Sequence, residues 1–144
     1  MGRVKWSIIA LILAAFAVAP LLVDAQNNAS TRGGVYSDRQ AARGAASYKA
    51  ACASCHGPAM AGLGQTPPLA GSGFISDWEG QPLDNLFERL QTTMPADRPG
   101  KLTRKENADI LAYILKYNKL PAGTADLPAD AAALKQIRFQ TARK

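Results

Sequence analysis

The sequence predicts an all-α domain of three main helices joined by long loops. Three stretches repeat apolar residues at the i, i+3, i+4, i+7 spacing of one helix face. No stretch alternates between apolar and polar residues with the period of two that a half-buried strand requires. The loops between the helices are too long for a plain helical bundle. We therefore expect a thin core, with a further group filling the space between the helices.

The composition limits the classes of function. With 144 residues, the chain is one domain with appendages, and 47% apolar residues suit a globular protein. Two cysteines are too few for a disulfide framework. The single histidine, His56, excludes a metal site that needs two histidines. Basic residues are not interleaved with aromatic ones, so nothing indicates nucleic-acid binding.

Residues 1–25 have the pattern of a secretory signal peptide. Arg3 and Lys5 precede the apolar stretch 8–19, and small residues around Ala25 suit a peptidase site. An uncleaved membrane anchor is the alternative, because the uncharged run is 18 residues long, the lower limit for a span. In both cases the rest of the chain is exported, and we expect it to be periplasmic. Membrane association is expected only if the segment is retained.

The mature chain is expected to be basic. Removal of Arg3, Lys5 and Asp24 lowers the formal charge from +6 to +5. A positive charge favours an acidic partner or an anionic membrane face, and simple solubility is the alternative explanation.

The first predicted helix follows a polar, glycine-rich stretch, residues 26–36, which we expect to be a flexible leader. Ser37 and Gln40 have the S-x-x-Q spacing of a capping box. The helix face then consists of Ala41, Gly44, Ala45 and Tyr48, and the helix is expected to end near Cys52. Gly44 costs about 1 kcal/mol against alanine in a helix. Its position on the buried face indicates that another backbone packs closely there.

The second predicted helix comes after a glycine- and proline-rich stretch, residues 57–80, which we interpret as irregular loop. Pro82 suits the first helical position. The apolar face consists of Leu83, Leu86, Phe87 and Leu90. The helix must end by Met94, because Pro95 disfavours helical geometry at the residue before it.

The third predicted helix begins at a capping box formed by Thr103 and Glu106. Its apolar face consists of Ile110, Tyr113, Ile114 and Tyr117, and Asn118 is a suitable end.

The three helices together define residues 37–120 as the predicted domain. Residues 121–144 are predicted to be a tail with a short helix within 130–137. The apolar residues of this tail, Leu127, Leu134 and Ile137, suit either packing on the chain's own core, which we favour, or docking to a larger complex.

Cys52-Ala-Ser-Cys55-His56 is the chemically informative motif. C-x-x-C-H is the attachment signature of c-type haem, with two thioether bonds and His56 as the proximal iron ligand. A thioredoxin-like cysteine pair would need a βαβ setting. A zinc site would need a further ligand, and a disulfide across so short a loop gains little stability. We therefore predict one covalently attached haem c.

The second axial ligand follows by elimination. His56 is already used, and Met1 is removed or distant. Met60 lies four residues from His56 on the same flank of the ring and suits a core position. Met94 lies 38 residues away and can reach the opposite face, so we predict Met94 as the distal ligand, with an open site as the alternative.

Over residues 37–118 the chain resembles the class I c-type cytochromes. The resemblance is carried by Cys52, Cys55, His56, Gly57, Gly44, Tyr48, Met94, Pro95, Ala112 and Tyr113. It implies a crossing of the first and last helices, with Gly44 and Tyr48 against Ile110 and Tyr113. It also implies a proline carbonyl that accepts the Nδ1–H of the proximal histidine and so fixes the ring. Of Pro67 and Pro68, we favour Pro67.

A narrower resemblance is to the small cytochromes associated with quinoprotein (PQQ-dependent) dehydrogenases. It is carried by residues 69–71, 74–78, 83–94, 99–100 and 112–123. It places Phe74 and Trp78 in the haem pocket, although both also suit an ordinary aromatic core.

These features predict an electron carrier rather than an enzyme. A His/Met-ligated haem has a raised potential and no vacant iron position. The expected role is single-electron transfer between a donor such as a quinoprotein dehydrogenase and a respiratory acceptor.

Four basic residues are candidates for steering an acidic redox partner: Lys49, Arg98, Lys101 and Arg104. A peroxidase-like or gas-binding haem protein is the alternative, and it requires a displaced Met94. A subunit of a larger dehydrogenase or oxidase complex would share the electron-transfer chemistry.

Overall fold

The computed structural model describes residues 29–141, so the predicted signal peptide lies outside the described residues. Within this range no helix is both long and apolar enough to cross a membrane. In chain order the elements are β1 (Ala29–Ser30), a 3₁₀ helix (Thr31–Gly33), α1 (Asp38–Ala51), α2 (Ala53–His56), α3 (Ser72–Trp78), α4 (Leu83–Thr93), α5 (Arg104–Tyr117), α6 (Ala131–Lys135) and β2 (Ile137–Arg138). The predicted all-α class is confirmed.

The crossing of α1 and α5 is the most extensive helix contact among the described residues. A Cβ added to Gly44 would lie 1.8 Å from the carbonyl oxygen of Asp109 and 3.0 Å from the Cβ of Tyr113. The rings of Tyr48 and Tyr113 pack beside it with their centroids 5.5 Å apart. The crossing implied by the resemblance is therefore present. Gly44 meets the backbone of Asp109, however, rather than the side chain of Ile110.

The two predicted capping boxes have different outcomes. At α5 the box is complete, because Thr103 and Glu106 each accept a hydrogen bond from the other's backbone. At α1 only half of the box forms, since the Ser37 side chain accepts from the Gln40 backbone without a return bond. The Gln40 amide instead donates to the Leu127 carbonyl over 3.0 Å and accepts from the Leu127 N–H over 2.6 Å. The Gln40 side chain thus pairs with the tail instead of returning a hydrogen bond to the Ser37 backbone.

Two boundaries around the second predicted helix differ from the prediction. The stretch 57–80 is not wholly irregular, because it contains α3, which buries Phe74. Pro82 is the N-cap of α4 rather than its first helical residue. The predicted end is correct: α4 stops at Thr93, and Met94 is extended, with φ −120° and ψ 151°.

The expectation of a flexible leader is wrong for residues 29–36. β1 pairs in parallel with β2 from the tail, and Ala29 stands opposite Ile137. Thr31 and Tyr36 are buried, and the Tyr36 hydroxyl donates to the Leu120 carbonyl over 2.6 Å. The polar composition of residues 29–36 did not indicate an ordered segment, because their hydrogen-bond partners lie about 100 residues away along the chain.

The tail packs on the chain's own core, as we favoured from the sequence. Leu127, Leu134 and Ile137 are all buried. The short predicted helix is α6, which packs against α4. The apolar residues of the tail are thus not available as a docking face.

A buried carboxylate joins α1, α5 and the tail. Asp109 is 6% exposed and accepts two hydrogen bonds of 3.0 Å from Arg43 and one of 3.0 Å from Lys105. Arg43 also pairs with Asp126 of the tail over 2.7 Å. Burial raises the pKa of Asp109, but the hydrogen bonds from Arg43 and Lys105 outweigh it, so the pKa lies below its usual value of 3.8.

This ion cluster predicts a loss of stability in acid. A carboxyl whose pKa is lower in the folded state stabilises the fold above its unfolded pKa, and that contribution disappears as the pH falls through the folded pKa. We expect Asp109→Asn to cost about 2 kcal/mol near neutral pH, because hydrogen bonds to a charged group are weakened. We also expect it to lose less stability than the parent as the pH falls from neutral to below about 4. Urea unfolding across this range measures both effects. Parallel curves for the two proteins would contradict the prediction.

Candidate haem site

The C-x-x-C-H motif forms one tight turn where α1 ends. Cys52 breaks the helix with φ −125° and ψ −33°, and its carbonyl accepts from the N–H of Cys55 over 3.1 Å and of His56 over 2.9 Å. Gly57 then ends the turn at φ 75°, a left-handed value that favours glycine. The turn buries Cys52 and His56 and leaves Cys55 exposed. Local hydrogen bonds thus arrange the backbone of the motif.

The loop that follows orients the His56 ring. The Nδ1 atom of His56 lies 2.9 Å from the carbonyl oxygen of Pro67. The loop can turn back towards His56 because Gly62 lies directly against the backbone of Thr66. A Cβ at Gly62 would lie 2.2 Å from the Thr66 carbonyl oxygen. Since that carbonyl can only accept, Nδ1 carries the proton and Nε2 keeps its lone pair for a metal. Of the two prolines, Pro67 supplies this carbonyl.

All of the predicted site residues border one cavity. Its volume is about 1310 Å³. The predicted residues in its wall are Cys52, Cys55, His56, Pro67, Trp78 and Met94. The wall also contains Leu86, Leu90, Ile110 and Ile114, which the sequence indicated as helix core but not as pocket residues. Their apolar side chains lower the polarity around any bound group.

The two candidate methionines have different positions. Met94 follows α4, is partly buried and lies in the cavity wall. Met60 is fully buried in the core, and its backbone carbonyl accepts from Leu69 over 2.8 Å. Met60 therefore fills the core beneath the loop, as expected.

Phe74 and Trp78 combine both of the expected roles. Both lie in the cavity wall. Phe74 is also a core residue, with its ring centroid 6.4 Å from Trp78 and 6.1 Å from Phe139. These contacts join the cavity to the tail.

The Cys52 thiol lacks the lowered pKa of a cysteine in redox exchange. Burial and the neighbouring Cys55 raise the pKa of Cys52 to about 11, so this thiol is protonated at neutral pH. Cysteine pairs that exchange disulfides have a lowered pKa instead. Within residues 29–141 no three His, Cys, Asp or Glu side chains are grouped to hold a metal ion by themselves. Two free thiols, an oriented imidazole and the apolar side chains that α4 and α5 contribute to the wall fit a covalently bound haem.

The four expected steering cations are not equivalent. Arg98 pairs with Asp97 over 3.0 Å. Arg104 pairs with Glu88 over 2.9 Å and lies 4.7 Å from the centre of the Phe87 ring. Lys49 and Lys101 are exposed and form no ion pair with the residues that the structure describes. Asp97 adjoins Arg98 in the sequence, whereas Glu88 lies 16 residues from Arg104, so only the second pair depends on the tertiary structure.

The fold and the site together define a class I c-type cytochrome domain. Residues 39–114, more than half of the chain, match the family described as cytochrome c oxidase, cbb3-type, subunit III, and the chain belongs to this family. The predicted resemblance is thereby confirmed. Membership implies a covalently bound haem c with iron and a role in electron transfer.

A similar solved structure is the crystal structure of the sulfane dehydrogenase SoxCD from Paracoccus pantotrophus. The identity is 31% and the TM-score is 0.48, over 62% of this chain and 45% of that chain. This chain thus spans less than half the length of that one. The comparison with curated proteins gives no match.

Proposed function

We propose that the protein is a periplasmic single-electron carrier. It holds one haem c through Cys52 and Cys55, with His56 as the proximal ligand and Met94 as the distal ligand. The observation that carries this proposal is a single cavity whose wall contains both thiols, the oriented imidazole and the Met94 thioether. The proposed donor is a quinoprotein dehydrogenase, and the proposed acceptor belongs to a respiratory chain.

Each protein group has a separate task in this mechanism. When bound, the haem supplies an iron that gains or loses one electron. Cys52 and Cys55 hold the group through their Sγ atoms, so it is not lost in an exported protein. Pro67 accepts the Nδ1–H of His56 and keeps the ring in one tautomer and one plane. The Met94 thioether would favour the reduced state, and the apolar side chains in the wall, Leu86, Leu90, Ile110 and Ile114, lower the polarity around the group.

Electrons are proposed to pass through the face around Cys55. Residues 50–76 carry no charged side chain apart from the titratable His56. In this stretch Cys55 is exposed, and Leu63 is 55% exposed. A stretch without charged side chains can approach a partner without stripping water from ions. Lys49 at its border, together with Lys101, supplies the charge that would steer an acidic partner.

Removal of both thiols tests the proposal. We expect the parent protein to show a reduced c-type spectrum that persists through denaturing acid extraction, and a one-electron potentiometric titration. The double variant Cys52→Ala/Cys55→Ala is expected to lose its haem in the extraction, because no covalent bond remains.

Ser54→Ala is the matched control, because Ser54 lies between the two cysteines and is exposed. It is expected to keep its haem. A colourless parent protein would contradict the proposal. So would a parent whose reduced iron binds carbon monoxide readily, since that result would favour a ligand-binding haem protein.

A further inference from the structure

The loop after Met94 is held closed by two amide side chains. This loop, residues 95–102, runs from the end of α4 to the start of α5. Asn107 on α5 donates through Nδ2 to Gln91 Oε1 on α4 over 2.9 Å. Both amides also donate to the carbonyl of Leu102, Gln91 over 3.3 Å and Asn107 over 3.4 Å. The last residue of the loop is thus tied to both flanking helices.

Asn107 is a polar residue at a fully buried position. The residue is fully buried, and its Oδ1 has no hydrogen-bond partner among the described residues. A buried acceptor without a partner is unfavourable, and an apolar side chain of similar size would avoid that cost. The amide is therefore best explained by what its NH₂ group holds, which is Gln91 and the end of the loop.

The clamp acts close to Met94. Gln91 lies three residues before Met94, about one helical turn away, and the Met94 N–H still donates to Leu90 over 3.2 Å. Gly100 at the far side of the loop approaches Gln91 as well, because a Cβ there would lie 3.8 Å from the Gln91 carbonyl oxygen. If the loop swings out at Leu102, the backbone on the C-terminal side of Met94 loses this restraint and keeps the hydrogen bonds within the loop, from the Arg98 N–H to Pro95 and from the Lys101 N–H to Arg98.

We propose that Gln91 and Asn107 form a positioning clamp that keeps Met94 at the cavity. The clamp does not touch the bound group. It sets the fraction of molecules in which Met94 has left its place and an external ligand can bind instead. This inference rests on the proposed role of Met94 as the distal ligand.

The test uses the complete haem-loaded protein with Asn107→Leu, which keeps the branched shape and the number of non-hydrogen side-chain atoms and removes the hydrogen bonds. Imidazole is the probe, and the readouts are its dissociation constant for the oxidised protein and the weak far-red band of sulphur ligation. The apparent affinity rises in proportion to the fraction of molecules without Met94 in place. We expect imidazole to bind about tenfold more tightly and the far-red band to weaken.

Gln91→Leu is the second variant and is expected to act in the same direction. Gln91 is only partly buried, so its replacement keeps the test informative if Asn107→Leu does not fold. Gln91→Glu is the conservative variant, because a carboxylate still accepts from Asn107. It is expected to bind imidazole more weakly than Gln91→Leu does.

Gln40→Leu is the matched control. Gln40 is also a buried amide with two hydrogen bonds, but these bonds hold Leu127 of the tail. It is expected to lower the melting temperature without changing imidazole affinity. Equal imidazole affinity in the Gln40 and Asn107 variants would show a purely structural role and overturn the clamp. If Met94→Ala changes neither readout, the ligand assignment itself fails, which is a different result.

Discussion

Met94→Ala is expected to leave the haem attached, lower its reduction potential by roughly 100 mV or more, and let the reduced iron bind carbon monoxide. Axial ligands set haem potentials over a range of about 0.8 V, and a thioether lies toward the high end. Alanine has no donor atom, so water or an added ligand takes the position. Potentiometric titration and a carbon monoxide difference spectrum measure the two effects.

Met60→Ala is the matched control for this experiment. Met60 is equally a methionine, but it is fully buried in the core and does not border the cavity. Its truncation is expected to cost about 2 to 5 kcal/mol of stability, as for other buried large-to-small changes. The potential and the carbon monoxide reactivity should stay close to those of the parent. A parent-like potential in Met94→Ala, or a fall in potential in Met60→Ala, would contradict the assignment.

Gly44→Ala is expected to destabilise the protein by about 3 kcal/mol, the upper end of the usual range for overpacking. The new Cβ would lie 1.8 Å from the carbonyl oxygen of Asp109, a distance at which the helices must move apart. Alanine gains about 1 kcal/mol of helix propensity, which is too little to compensate. Because Ile110 and Ile114 of α5 border the cavity, a displaced α5 also disturbs the haem pocket. Denaturant unfolding of the haem-loaded protein measures the loss.

Gly73→Ala is the control for helix propensity. Gly73 lies within α3, and a Cβ there meets nothing within 4 Å. This change is expected to be neutral or to stabilise by less than about 1 kcal/mol. If Gly44→Ala proves as stable as Gly73→Ala, the α1–α5 crossing is looser than the close approach at Asp109 implies.

The haem-attachment motif could be predicted from the sequence because its residues lie within one turn of the chain. Cys52, Cys55 and His56 are arranged by the hydrogen bonds of one turn, so their spacing along the chain already specifies their spacing in space. The Thr103 cap is local in the same sense, since both of its bonds span three residues. Gly44 was informative for another reason. A costly glycine on a buried helix face has few explanations other than a close backbone.

Other features depended on distant partners and escaped prediction. The leader looked disordered because its polar composition is ordinary for a loop. Thr31 nevertheless donates to Gln140, 109 residues away, over 2.7 Å. Gln40 has the spacing of a local cap, yet it pairs with Leu127. Arg104 was a candidate for steering a redox partner, but it pairs with Glu88, 16 residues away on another helix.

The sequence by itself determined the attachment motif, the three main helices and the class of protein, because these follow from contacts within one or two helical turns. Only the tertiary structure decided that Pro67 rather than Pro68 faces His56, that the tail covers α4, and that Asn107 and Gln91 close the loop after Met94. His56 and Pro67 are 11 positions apart, and Asn107 and Gln91 are 16 positions apart. Such contacts depend on how the chain returns on itself, and residue patterns within single helices carry no information about that path.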